Sequence, residues 1–85
     1  MTNFDNFAKF TCDIMKRAKV MYLTLHNGDR IITTLNCIET DYNGQYIEDY
    51  TIHCNETLII QDDNILHFDK GTIPLSIIDI FEYSF

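Results

Sequence analysis

Phe7, Phe10, Ile14 and Ala18 recur at steps of three and four, so an apolar stripe predicts a helix over residues 4–18. Thr2 or Asn3 is placed to cap its start. Lys16, Arg17 and Lys19 crowd the other end, where cations complement the carbonyl end of the helix dipole. At Val20 the period falls to two: Val20, Tyr22 and Thr24 take one face of a strand, and Met21, Leu23 and Leu25 the other. His26-Asn27-Gly28-Asp29 interrupts the alternation, and Asn27-Gly28 tolerates the positive φ angles of a tight hairpin turn.

A second strand over residues 30–38 is rich in β-branched residues and long enough to bend. A turn at 41–45 leads into a strand or bulged edge over 46–54. Asn55-Glu56 then reads as a break before a short strand at 57–61, and Asp62-Asp63-Asn64 as a turn before another at 65–68. Lys70-Gly71 turns the chain into a closing strand at 73–83, whose start Pro74 confines to an edge or an irregular opening. The pattern is one helix and then five or six antiparallel strands, in a single domain spanning residues 1–85. Curling such a meander into a barrel removes its exposed edges, and the helix closes one open end. The expected fold is therefore mainly β, a small Sm-like or SH3-like antiparallel barrel capped by an N-terminal helix. Its expected core is Phe7, Phe10, Ile14, Leu23, Leu25, Ile32, Leu35, Ile59, Leu75, Ile78 and Ile80.

A chain of 85 residues buries only about 60–65% of its unfolded surface, which leaves little room for a large multi-step active site. Apolar residues at 46% are enough for a compact core and place the chain far from the disordered class. Thirteen acids against six Lys and Arg give a net charge of −7, which repels nucleic-acid phosphates and argues against direct nucleic-acid binding. The charge is uneven: residues 1–19 carry four basics and two acids, whereas residues 20–85 carry two basics and eleven acids. An anionic barrel suits a basic partner surface or imitates nucleic-acid phosphates, solubility being the other use of such charge.

Cys12, Cys37 and Cys54 are widely spaced and form no CxxC pair, so they read as reduced thiols of a cytoplasmic protein. The N-terminus lacks a basic signal region, and no apolar run approaches the roughly 20 residues of a membrane span. His53 beside Cys54 supplies ligand types that zinc prefers, but neighbours on a strand point to opposite faces. No metal and no cofactor is expected. A Cys–His nucleophile pair would need an orienting group and an oxyanion donor that the sequence does not supply, so no catalytic residue is assigned. Asp62-Asp63-Asn64 lacks the glycine and terminal glutamate of a calcium loop and reads as a solvated turn. Tyr22, Tyr42, Tyr46 and Tyr50 offer stacking faces to single-stranded nucleic acid, yet Asp41, Glu48 and Asp49 beside them oppose its backbone.

Phe4-Asp5-Asn6-Phe7 at the helix start, followed by Val20 to Asp29 with its Leu23-Thr24-Leu25-His26-Asn27-Gly28-Asp29 turn, resembles the Rho-binding antiterminators of the Rof family. Thr72-Ile73-Pro74-Leu75-Ser76-Ile77-Ile78-Asp79-Ile80 is similar to that family's closing strand, and Asn43-Gly44-Gln45-Tyr46-Ile47 to its N-x-E-Y-L. These segments cover roughly half of the chain. The resemblance implies a helix-capped Sm-like barrel that docks on the RNA-loading surface of the terminator Rho. It implies that Asp5 and Asn6 at the helix start, with Asn43 in the nearby turn, contact the partner. Asp41 and Tyr42 stand where the family has a basic pair, and Ala8 and Lys9 follow the Asp-Asn pair where the family has an acid. About twenty residues between Tyr46 and Thr72 have no counterpart.

The expected function is a non-enzymatic regulator: an inhibitor of Rho-dependent termination, with transcription termination factor Rho or another basic protein surface as partner and no membrane. The alternatives are an RNA-binding protein of the Sm or Hfq type, or an acidic inhibitor of another basic, nucleic-acid-binding target.

Overall fold

The computed structural model describes residues 3–85, with side chains from Asn6 onward. Helix α1 runs Asn3–Arg17 and is followed by β1 (Val20–Leu25), β2 (Arg30–Tyr42), β3 (Ile47–Gln61), β4 (Asn64–Phe68), β5 (Gly71–Pro74), a 3-10 turn (Leu75–Ile77) and β6 (Ile78–Ser84). The capping candidates Thr2 and Asn3 lie outside the described side chains. Lys16 and Arg17 occupy the last turn of α1 as expected.

The buried face of α1 keeps only half of the expected stripe, since Ile14 is buried and Ala18 packs against the core but the two phenylalanines do not. Ala8, Thr11, Cys12, Ile14 and Met15 are buried, whereas Phe7 is 47% and Phe10 is 68% exposed. Small side chains at 8, 11 and 12 let the helix approach the barrel closely, and flexible Met15 fills the remaining space. Two phenylalanines on that face would hold the helix away.

In β1 the alternation holds: Met21 and Leu23 are buried and Tyr22 is exposed. Cross-strand partners share a face, and β1 faces β2 with Met21 opposite Thr33 and Leu23 opposite Ile31. Ile31 therefore enters the core in place of Ile32, which is only half-buried. The turn forms as its residues dictate: Gly28 has φ +90°, its amide donates to the Leu25 carbonyl at 2.9 Å, and the Asp29 amide donates to the Asn27 side chain at 3.0 Å.

The break expected at Asn55-Glu56 does not end a strand, because β3 runs through it. Thr33 faces Thr57, Leu35 faces Cys54 and Cys37 faces His53, so the two strands shift register twice and bulge without separating. The freed backbone groups are satisfied locally. Thr33 donates to the Glu56 carbonyl at 2.9 Å, Thr57 donates to the Asn55 carbonyl at 2.8 Å, and the Asn55 amide bonds Thr34 Oγ and the Leu35 carbonyl.

β4 and β5 lie end to end along one edge of β3, β4 against residues 57–61 and β5 against 51–54. Pro74 stands at the end of β5, where the missing amide costs no ladder bond to a further strand. The single closing strand expected over 73–83 is thus divided: the 3-10 turn carries the chain from β5 into β6, which returns along β1. The order β4-β3-β2-β1-β6, with β5 also on β3, makes a six-stranded antiparallel, barrel-like sheet. Met15, Met21, Leu23, Ile52, Leu75 and Cys54 are the largest fully buried side chains among the described residues. Of the expected core, Ile14, Leu23, Leu75 and Ile78 are buried, and Leu25, Leu35 and Ile59 pack partly against it. Ile80 is 52% exposed because it pairs with Thr24 on the outer face.

Candidate functional site

The far ends of β2 and β3 form an arm whose chemistry differs from the rest of the sheet. Asp41 stands directly opposite Asp49, a like-charge cross-strand pair of the kind that destabilises a sheet. Hydroxyl donors hold each carboxylate. Thr51 donates to Asp41 at 2.7 Å, and Ser76 in the 3-10 turn donates to Asp49 from its hydroxyl at 2.6 Å and its amide at 3.2 Å. Asp49 also accepts the Tyr50 amide at 2.7 Å, so this acid ties β3 to the turn that starts β6.

Asn43 lies in the loop at the tip of the arm, where its amide donates to the Tyr46 carbonyl at 3.1 Å and Gly44 takes φ +99°. Tyr42 and Tyr46 flank it and are 70% and 61% exposed. Glu48 is exposed beside them, and Glu39 lies 3.0 Å from His53 Nε2. The four tyrosines do not share a platform: Tyr42 and Tyr46 stand on the arm, Tyr22 is on the outer face of β1, and Tyr50 is buried. The exposure of Tyr42 and Tyr46 follows from the Asn43-Gly44 turn, the signal that marks this tip in the sequence.

Asn6 is exposed in the first turns of α1, and the side chain of Asp5 lies outside the described residues. Asn6 and Asn43 stand on different elements, and among the described residues no hydrogen bond joins them.

The acidity is continuous. Residues 31–69 hold Glu39, Asp41, Glu48, Asp49, Glu56, Asp62, Asp63 and Asp69 and no Lys or Arg. At the other end of the barrel Asp29 accepts bonds from Asn27 at 3.2 Å and Gln61 at 3.0 Å, and Asp79 lies 2.9 Å from His26 Nε2.

His53 and Cys54 take opposite sides of β3: the imidazole meets Glu39, and the thiol is buried and donates to the Ile52 carbonyl at 3.7 Å. Among the described residues no three metal-ligating side chains converge, and no helix is long and apolar enough to cross a membrane. Cys12 and Cys54 are free and buried, and Cys37 is free and exposed. Burial pushes the Cys12 thiol up, against a weaker opposing pull from Lys16, and pushes Cys54 up, against a hydrogen bond with Thr33. Both are held as inert thiols. Comparison of the chain with protein-family models, with curated proteins and with solved structures finds no match.

Proposed function

We propose that this protein is a non-enzymatic regulator that docks on a basic protein surface, and that its partner is the RNA-loading surface of the terminator Rho. The observation that carries the first half is the arm, where Asp41 faces Asp49 with no cation nearby in the sequence and two tyrosines stand exposed at the tip. Lys or Arg from a partner relieves that like-charge pairing and gains charge-assisted hydrogen bonds. The tyrosines add rigid contact area at low entropic cost. The same acids oppose RNA, whose phosphates need basic side chains.

The second half rests on the resemblance of the helix start and of the Asn43 turn to the Rof family. In this reading the protein occupies the basic groups that would hold nascent RNA, and termination fails for want of RNA. Complementary charge makes the encounter fast and sensitive to salt. The test is binding of the purified protein to purified Rho, measured by sedimentation at low and high salt. A complex that weakens as salt rises, and weakens further with Asn43→Ala or Asn6→Ala, supports the proposal. No complex at low salt removes Rho as the partner.

A further inference from the structure

The second half of β3 and all of β4 lie within the stretch that has no counterpart in the Rof resemblance, and β4 is one of the two end strands of the sheet, β6 being the other. Among the described residues no strand pairs with its outer side. We propose that this edge is a strand-docking site for an extended, basic segment of a partner protein.

The register defines what the edge offers. Gln61 and Asn64 flank the two-residue turn Asp62-Asp63, in which Asp62 takes φ +51°. Residues that flank a two-residue hairpin loop exchange backbone bonds with each other, and the exchange then recurs at every second pair. The pairs Ile59–Leu66 and Thr57–Phe68 therefore bond inward, and Ile65 and His67 turn their amides and carbonyls outward.

The side chains agree with an unfinished sheet. Every residue of β4 is exposed, with Ile65 at 68%, Leu66 at 40% and Phe68 at 46%. Ile65 continues the outer face beyond Ile60, and Leu66 continues the inner face beyond Ile59. Proteins blunt exposed edges with Lys, Pro or bulges, and β4 has no Lys, no Pro and an unbroken register with β3.

Charge selects the occupant. Asp62 and Asp63 precede the strand, and Asp69 follows it ahead of Lys70. In a second copy paired antiparallel about Leu66, Asp63 would oppose Asp69 of the copy at both ends; an Asp62–Lys70 pair beside each offsets this locally, but each copy brings a net charge of −7. An incoming strand with apolar residues at alternate positions and Lys or Arg at its ends has the opposite character: backbone bonds to Ile65 and His67 supply affinity, and the flanking aspartates fix the register. The proposal keeps the basic partner of the reading above but uses a separate surface, and it does not require that partner to be Rho.

The test uses the full chain, isotope-labelled, with a synthetic peptide of Val-Thr-Val-Thr-Val flanked by Lys-Arg at each end, and its counterpart with Glu-Glu ends. The expected result is that the basic peptide shifts the amide resonances of Ile65 and His67 and slows their hydrogen exchange, whereas the acidic peptide does neither. Ile65→Pro removes an outward amide while leaving the inward bonds of β4 in place, and is expected to weaken the peptide about tenfold. Should that variant not fold, Asp63→Lys/Asp69→Lys is expected to reverse the preference toward the acidic peptide. Shifts confined to the arm, equal binding of both peptides, or self-association through β4 would each overturn the proposal. Failure to bind Rho with these β4 responses intact would overturn only the earlier assignment.

Discussion

Thr33 and Thr57 are buried polar residues whose hydroxyls lie 3.0 Å apart, and they matter because two bulged strands leave carbonyls that the regular ladder does not reach. Removing a buried donor leaves its acceptor unsatisfied, which costs about 1–3 kcal/mol. Thr33→Val, nearly isosteric, is expected to lose stability in that range in urea unfolding, and a loss below a few tenths would mean that water replaces the hydroxyl. The thiols give a second expectation at this scale. Cys37 is expected to react with an aromatic disulfide reagent as one fast thiol per chain, and Cys12 and Cys54 only on unfolding. Folding raises the pKa of both buried thiols, so the unfolded chain loses those protons first as pH rises. Their contribution to stability is complete below the ordinary thiol range and falls as pH climbs above about 8.5. Cys12→Ala/Cys54→Ala is expected to flatten that alkaline decline in unfolding curves measured from pH 7 to 10.

At the scale of elements, the strands and hairpins were legible because their signals are local. The step from period three-and-four to period two at Val20, and the Asn27-Gly28 and Asn43-Gly44 turns, each depend on a few adjacent residues. What was not legible depends on partners far along the chain. Phe7 and Phe10 look like core residues until the close approach of α1 to the barrel is known, and that approach is set by Ala8, Thr11 and Cys12. Asn55-Glu56 looks like a break until β2 supplies a compensating bulge and two threonines. The closing segment looks like one strand until Asp49, from β3, holds Ser76 in a 3-10 turn. The corrected helix face yields a contrast: Met15→Ala is expected to cost about 2–5 kcal/mol, whereas Phe10→Ser stays within about 0.5 kcal/mol of the parent. Equal losses in thermal or urea unfolding would restore the sequence-derived face. Of the candidate site, Asn43 was legible through its turn. The facing pair Asp41 and Asp49 was not, because its register follows from pairing between distant residues and from a further shift at Tyr42.

For the whole molecule, the proposed function rests on the distribution of charge. The basic residues stand at 9, 16, 17, 19, 30 and 70, so α1 holds three of the six and residues 31–69, which span β3, β4 and β2 beyond Arg30, carry acids and no Lys or Arg. In the proposed reading the barrel approaches a cationic surface and repels RNA with the same groups. Displacement of a fluorescent oligoribonucleotide from Rho, followed by anisotropy as the protein is titrated at low salt, tests this most directly. The account predicts that anisotropy falls to the value of free RNA, that the midpoint rises with salt, and that RNA without Rho gives no response. An anisotropy that rises when the protein meets RNA alone, or that stays constant with Rho present, would contradict it.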